Sequence, residues 1–143
     1  MKDINFVMED ALSYDGNTGP YVQYTYARTC SIVRRAVEAG LISEQDTKPV
    51  FDAVTEAHEI ELVKTLGRFG ECVVGAIRDY EPSEVTRYIL DVAAAFNRFY
   101  HDCPILNAEN EVQRKTRLAL TMATRTVLGN AFDLICLRKI EQI

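Results

Sequence analysis

The stretch Asn17-Thr18-Gly19-Pro20-Tyr21-Val22-Gln23-Tyr24-Thr25-Tyr26-Ala27-Arg28 is a turn running into a helix, and it holds three tyrosines and an arginine. Asn17 and Thr18 offer side-chain oxygens to the free N–H groups of a first helical turn. Gly19 tolerates a tight backbone, and Pro20 suits the first helical position, where its missing N–H costs nothing. Tyr21, Tyr24 and Arg28 stand at i, i+3 and i+7, so they share one helix face. Two phenol rings and a guanidinium on one stripe supply the means to stack bases and hold phosphate. Aromatic stripes at helical spacing usually pack inward, however, so spacing alone predicts Tyr21 and Tyr24 in a core.

The same helix continues to about residue 39. Ala27, Cys30, Ile32, Val33, Ala36 and Val37 form its apolar stripe, with a period near 3.6. Gly40 is its natural stop. Arg34 and Arg35 fall in its last turns, where positive charge complements the helix dipole. Upstream, residues 1–16 mix apolar and acidic positions and end in a turn cluster, Tyr14-Asp15-Gly16-Asn17. Downstream, 41–54 reads as a loop with a short helical piece broken by Pro49, with Ser43 and Asp46 as caps. Thr55 is the expected N-cap of a helix to about 67, with Glu56 and Glu59 in its first turn. Another helix covers about 70–80. Ser83 is the expected cap of a helix over 84–102, which Pro104 closes. The last helix starts near Glu109 and reaches at least Cys136, with Arg114, Lys115, Arg117, Arg125, Arg138 and Lys139 opposite its apolar side. No stretch alternates at period two. The chain therefore reads as an all-α bundle of four or five helices, a single domain over residues 1–143.

The 143 residues suit one domain with a proper core. Hydrophobic residues at 48% and charged residues at 26% argue against disorder. The longest apolar runs, such as Val92 to Phe96, are too short to span a bilayer. Met1-Lys2-Asp3-Ile4-Asn5 lacks the apolar core of a signal peptide. A cytoplasmic protein without membrane contact is expected.

The net charge of -5 is wrong for a protein that binds polyanions over its whole surface. Its distribution is more informative. Residues 41–91 hold eleven acids and five bases, whereas 21–40 hold three bases and one acid, and 111–143 six bases and three acids. Two basic ends around an acidic middle steer a polyanion to one face. Cys30, Cys72, Cys103 and Cys136 form no C-x-x-C pair and read as small buried apolar residues in reduced form. His58 and His101 have no metal-ligand spacing, and no metal site is expected. P-loop, G-x-G-x-x-G, G-x-S-x-G and H-E-x-x-H patterns are all missing. No residue is put forward as catalytic, and the remaining signals point to binding.

Several strings, in order, resemble one family. The run Ala11-Leu12-Ser13-Tyr14-Asp15-Gly16-Asn17-Thr18-Gly19-Pro20-Tyr21-Val22-Gln23-Tyr24 through Arg28 looks like the start of the C-terminal anticodon-binding domain of arginyl-tRNA synthetase, of the DALR type. So do Glu81-Pro82, then Phe96-Asn97-Arg98-Phe99-Tyr100 with Cys103-Pro104-Ile105-Leu106, then Arg117-Leu118-Ala119-Leu120. The match runs over about residues 6–134, and the G-N-T-G-P-Y-x-Q-Y string is highly specific. The resemblance implies an all-helical class I synthetase domain that grips the anticodon loop of arginine tRNA, with RNA rather than DNA as partner and as a monomer. It implies no cofactor in this chain; ATP and Mg would belong to the catalytic domain of a parent enzyme. It implies tRNA-binding roles for Tyr21, Tyr24, Arg28 and Tyr100, with Asn97 as a lesser candidate, and so moves Tyr21 and Tyr24 from core toward ligand.

Two departures stand out. The nucleotide-binding catalytic domain with its H-I-G-H-like residues does not precede the matched segment, so an excised domain of a larger enzyme is expected. The family's closing L-L-G-I and P-E-x-M tail is replaced by Leu134-Ile135-Cys136-Leu137-Arg138-Lys139-Ile140-Glu141-Gln142-Ile143, so no tail contact is carried over. The rival reading is a stand-alone helical protein-interaction module that kept the fold and lost RNA binding. Aminoacylation by this chain alone is expected to be undetectable.

Overall fold

The computed structural model describes residues 7–13, 16–42 and 53–142. The predicted helical piece within 41–54, with Ser43, Asp46 and Pro49, lies largely outside them. The described residues form a single turn of helix, α1 (Met8–Ala11), and five longer helices: α2 (Gly19–Glu38), α3 (Ala57–Gly67), α4 (Phe69–Arg78), α5 (Ser83–Asp102) and α6 (Glu111–Leu134). None of the described residues is in a strand, and the all-α expectation holds.

Helix α5 lies at the centre, packed against α2, α3, α4 and α6. Its buried residues, Val85, Tyr88, Ile89, Val92, Ala93, Ala95, Phe96 and Phe99, cover far more than a narrow stripe, as a helix with several neighbours requires. Two clusters fill the interior. One joins Val22 and Tyr26 of α2 to Ile89 and Val92 of α5 and Leu128 and Phe132 of α6. The other joins Ile32 and Ala36 to Leu62, Phe96, Phe99 and Leu118.

The helix ends show where local reading succeeds and where it slips. Thr18 caps α2, accepting from the Tyr21 N–H at 3.2 Å, and Asn110 caps α6, accepting from the Gln113 N–H at 2.8 Å. Thr55 does not cap α3. That helix starts after Glu56, and Glu59 reaches back to accept from the Thr55 and Glu56 N–H groups at 3.0 and 3.1 Å. Ser83 is already helical, and its hydroxyl donates to Glu81 at 3.2 Å instead of capping.

Three helices close in the same way. After α2, the Gly40 and Leu41 N–H groups donate to the Val37 and Ala36 carbonyls, both at 2.9 Å, with Gly40 at φ 65°. This left-handed closure favours glycine. The same pattern ends α4 at Tyr80 (φ 55°) and α6 at Cys136 (φ 56°). Helix α6 therefore stops at Leu134, short of the predicted Cys136, because Leu137 folds back to donate to the Phe132 carbonyl at 2.9 Å and joins the core. Cys136 is exposed and Cys72 half-buried, so only Cys30 and Cys103 are the buried thiols that the sequence suggested. Burial pushes both of those thiols up from their ordinary pKa. Cys136→Gly removes left-handed strain of about 1–2 kcal/mol against a chain-entropy cost of about 0.5–1 kcal/mol. A small net gain in urea midpoint is the expected result.

Arg117 is the largest correction. Predicted on the polar side of α6, it is 4% exposed. It donates from Nε to Glu59 Oε1 at 2.6 Å and from Nη1 to the Pro104 carbonyl at 2.8 Å.

Candidate nucleic-acid interface

The N-terminal half of α2 meets the C-terminal half of α5, and the five predicted site residues converge there. Asn97 is the hub. Its Oδ1 accepts from Arg28 Nη1 at 2.7 Å, and its Nδ2 donates to Tyr21 Oη and Thr25 Oγ1, each at 3.0 Å. A guanidinium has no acceptor, so the amide oxygen has to face Arg28, which leaves the NH2 for the two hydroxyls. Thr25 is buried, and its hydroxyl donates to the Tyr21 carbonyl at 3.0 Å. Both amide hydrogens and one lone pair of the amide oxygen are used by neighbours, and Asn97 holds Arg28 in place.

Arg28 is held from three sides. Beyond the Asn97 bond, its guanidinium lies over the Tyr24 ring at 4.7 Å and over the Tyr100 ring at 4.9 Å. Tyr100 in turn stacks on buried Phe96, with ring centroids 6.3 Å apart and planes at 23°. Tyr24 is 40% and Tyr100 44% exposed. The charge is therefore met by ring faces and an amide oxygen, while the aromatic surface remains open to water. This corrects the expectation from spacing: Tyr24 is not core. Tyr21 divides the difference, packing its ring against the α2–α5–α6 cluster while its hydroxyl joins Asn97.

Arg28, Tyr24 and Tyr100 line an open cavity of about 530 Å3, with Arg34 along the same wall. Glu141 and Gln142 complete the lining. The divergent C-terminal stretch thus reaches the site after all. It turns at Cys136, is held by the Gln23 Nε2 bond to the Arg138 carbonyl at 2.9 Å and by Lys139 pairing with Asp133 at 2.7 Å, and runs back beside α2. Glu141 and Gln142 were missed by the sequence reading. The apolar pair Ile135 and Leu137, which packs on the core, was the available signal that this stretch folds back. On the other flank, Glu61 of α3 accepts from Arg98 at 2.6 Å, and this bond holds its carboxyl below the usual range. His58 faces Asp102 at 2.9 Å. These contacts tie α3 to the end of α5 that carries Asn97 and Tyr100.

Among the described residues, no group of three or more His, Cys, Asp or Glu side chains is placed to hold a metal ion. No helix among them is long and apolar enough to cross a membrane. The arrangement offers open aromatic faces, a fixed guanidinium and, at one edge, a carboxylate and an amide. That is chemistry for planar, anionic, hydrogen-bonding ligands such as unpaired nucleotides.

The chain is similar to known proteins over nearly its whole length. Residues 22–143 match the DALR anticodon binding domain family. The chain is 44% identical over 142 residues to the arginine–tRNA ligase of Clostridium perfringens and 41% identical over 143 residues to that of Clostridioides difficile. It covers 99% and 100% of itself in these matches but 24% of each relative. The structure superposes on Thermus thermophilus arginyl-tRNA synthetase with a TM-score of 0.86 at 33% identity, covering 99% of this chain and 24% of that one. For the Plasmodium falciparum enzyme the TM-score is 0.80 at 28% identity, with the same coverage. The chain spans about a quarter of the length of the relatives it matches. It belongs to the DALR anticodon-binding domain family, with the fold that this domain has in the arginyl-tRNA synthetases.

Proposed function

We propose that residues 1–143 act as one monomeric, cytoplasmic unit that reads the anticodon loop of arginine tRNA for an arginine–tRNA ligase. Arginylation, with its ATP and Mg, belongs to a catalytic part outside this segment. The observation that carries the reading is the Arg28 guanidinium held between two open tyrosine rings at the mouth of a cavity. Splayed loop bases stack on the open face of Tyr24 and against the exposed rim of Tyr100, whose faces meet Arg28 and Phe96, while Arg28 meets backbone phosphate or a base edge. Glu141 and Gln142 face the same space with an acceptor and an amide, which suits recognition of a base edge. Asn97 and Thr25 position the others.

Titration of a labelled anticodon stem-loop of arginine tRNA at about 50 and 200 mM salt tests this. Saturable binding that weakens with salt, and that a stem-loop of scrambled loop sequence competes for poorly, is the expected result. Equal binding of the two loops would overturn it.

A further inference from the structure

Helix α4 has a wider apolar arc than the core uses. Phe69, Cys72 and Ala76 pack against the α2–α5–α6 cluster. Val73, Ile77 and Val74 continue the arc through a further span of roughly 100°. None of the ten residues of α4 is buried, and Ile77 is 69% exposed. Ile77, Tyr80, Pro82 and Leu134 border an apolar hollow of about 440 Å3, where the end of α4, the start of α5 and the end of α6 meet. Contiguous apolar surface of this kind marks an interaction site.

Tyr80 adds an independent observation. It occupies the left-handed position after α4, at φ 55°, where glycine or asparagine is usual. Its side chain is 91% exposed. A bulky residue is strained in that conformation, and in this chain by itself the ring recovers nothing by burial.

The matching segment makes up 24% of the curated relatives and of the solved chains, so three quarters of each lies outside it. We infer that the α4–α6 hollow seats an apolar surface of the catalytic part of an arginine–tRNA ligase chain, with Tyr80 as its anchor. This rests on the reading of the segment as one domain of such an enzyme. Helix α5 keeps the two faces apart: Val85 lines the hollow and Asn97 holds Arg28, which is roughly 18 Å at 1.5 Å per residue. Both faces can be occupied at once.

The test compares the isolated chain with a full-length chimera in which it replaces the matching segment of the Clostridium perfringens ligase. Hydroxyl-radical footprinting is expected to modify Tyr80 roughly tenfold more slowly in the chimera, as for a residue at a packed interface core. Equal rates overturn the inference. So does protection in the isolated chain that grows with concentration, since a second copy would then be covering the face. Ile77→Asp changes a solvent-facing position and leaves the isolated chain folded. In the chimera it is expected to return Tyr80 to the isolated-chain rate, and continued protection would refute the assignment of this face. Stem-loop binding by the isolated chain does not involve the hollow, so either result can fail while the other stands.

Discussion

Glu59→Ala is expected to lower the unfolding free energy by about 3–5 kcal/mol, the usual cost of stripping one partner from a buried ion pair. Glu59 is 0% and Arg117 4% exposed. The carboxylate is fully occupied, with Oε1 taking the Arg117 Nε at 2.6 Å and Oε2 taking the Thr55 and Glu56 N–H groups at 3.0 and 3.1 Å. Alanine at 59 leaves a guanidinium in a dry interior without its counter-charge. It also orphans two donors at the start of α3. Against a total stability of about 5–15 kcal/mol for a domain of ordinary size, that is a severe loss. The double variant Glu59→Leu/Arg117→Met is expected to recover the part due to the unpaired charge, because apolar replacement of a whole buried pair is often neutral, but not the part due to the two N–H groups that leucine also leaves without an acceptor. Urea unfolding of the three proteins separates buried charge from lost packing. A Glu59→Ala cost of about 1 kcal/mol or less, the range of an exposed pair, would refute this account.

Tyr24→Ala should weaken stem-loop binding by about 1–3 kcal/mol, the range for a base stacked on an aromatic ring, and Tyr100→Ala, which strips Arg28 of one of its two rings, should also weaken it. Both rings are partly open to water, so truncation leaves the fold nearly intact. Arg28→Ala removes a charge and the plate between the rings, and the salt slope should fall by about 0.7 if that charge meets a phosphate. Asn97→Asp isolates positioning from contact. The Tyr21 and Thr25 hydroxyls can turn to donate to the new carboxylate, and the helices stay joined. Arg28 then sits in an ion pair, and the salt slope should drop as it does in Arg28→Ala while thermal unfolding is little changed. If Tyr24→Ala and Tyr100→Ala both bind like the parent chain, the rings are packing and the RNA reading fails.

Much of this architecture is local and was open to reading. Thr18 before Gly19-Pro20, Gly40 after α2 and the apolar periodicity of α5 mark helices by chemistry within a few residues. Elsewhere the errors have physical causes. Thr55 and Ser83 were reasonable caps by residue type, but α3 starts one residue later, with Glu59 reaching back to the Thr55 and Glu56 N–H groups, and the Ser83 hydroxyl is spent as a donor to Glu81. Arg117 looked like surface because it is charged, yet it lies on the face of Thr121, Thr124 and Leu128, all buried. Helical spacing puts it on that buried face, but its charge placed it on the polar side, because its partner, 58 residues away, was out of sight.

By itself the sequence determined the helices, most of their ends, and the grouping of Tyr21, Tyr24 and Arg28 on one stripe. Helical geometry imposes that grouping on any chain with this spacing. Tertiary structure alone decided which side of that stripe meets water. It also brought Asn97 to Arg28 across 69 residues and to Tyr21 across 76, and laid Glu141 and Gln142 along the same cavity. Periodicity states which side chains share a face. Whether a face is covered depends on how distant helices close around it, and that energy resides in contacts no local window contains.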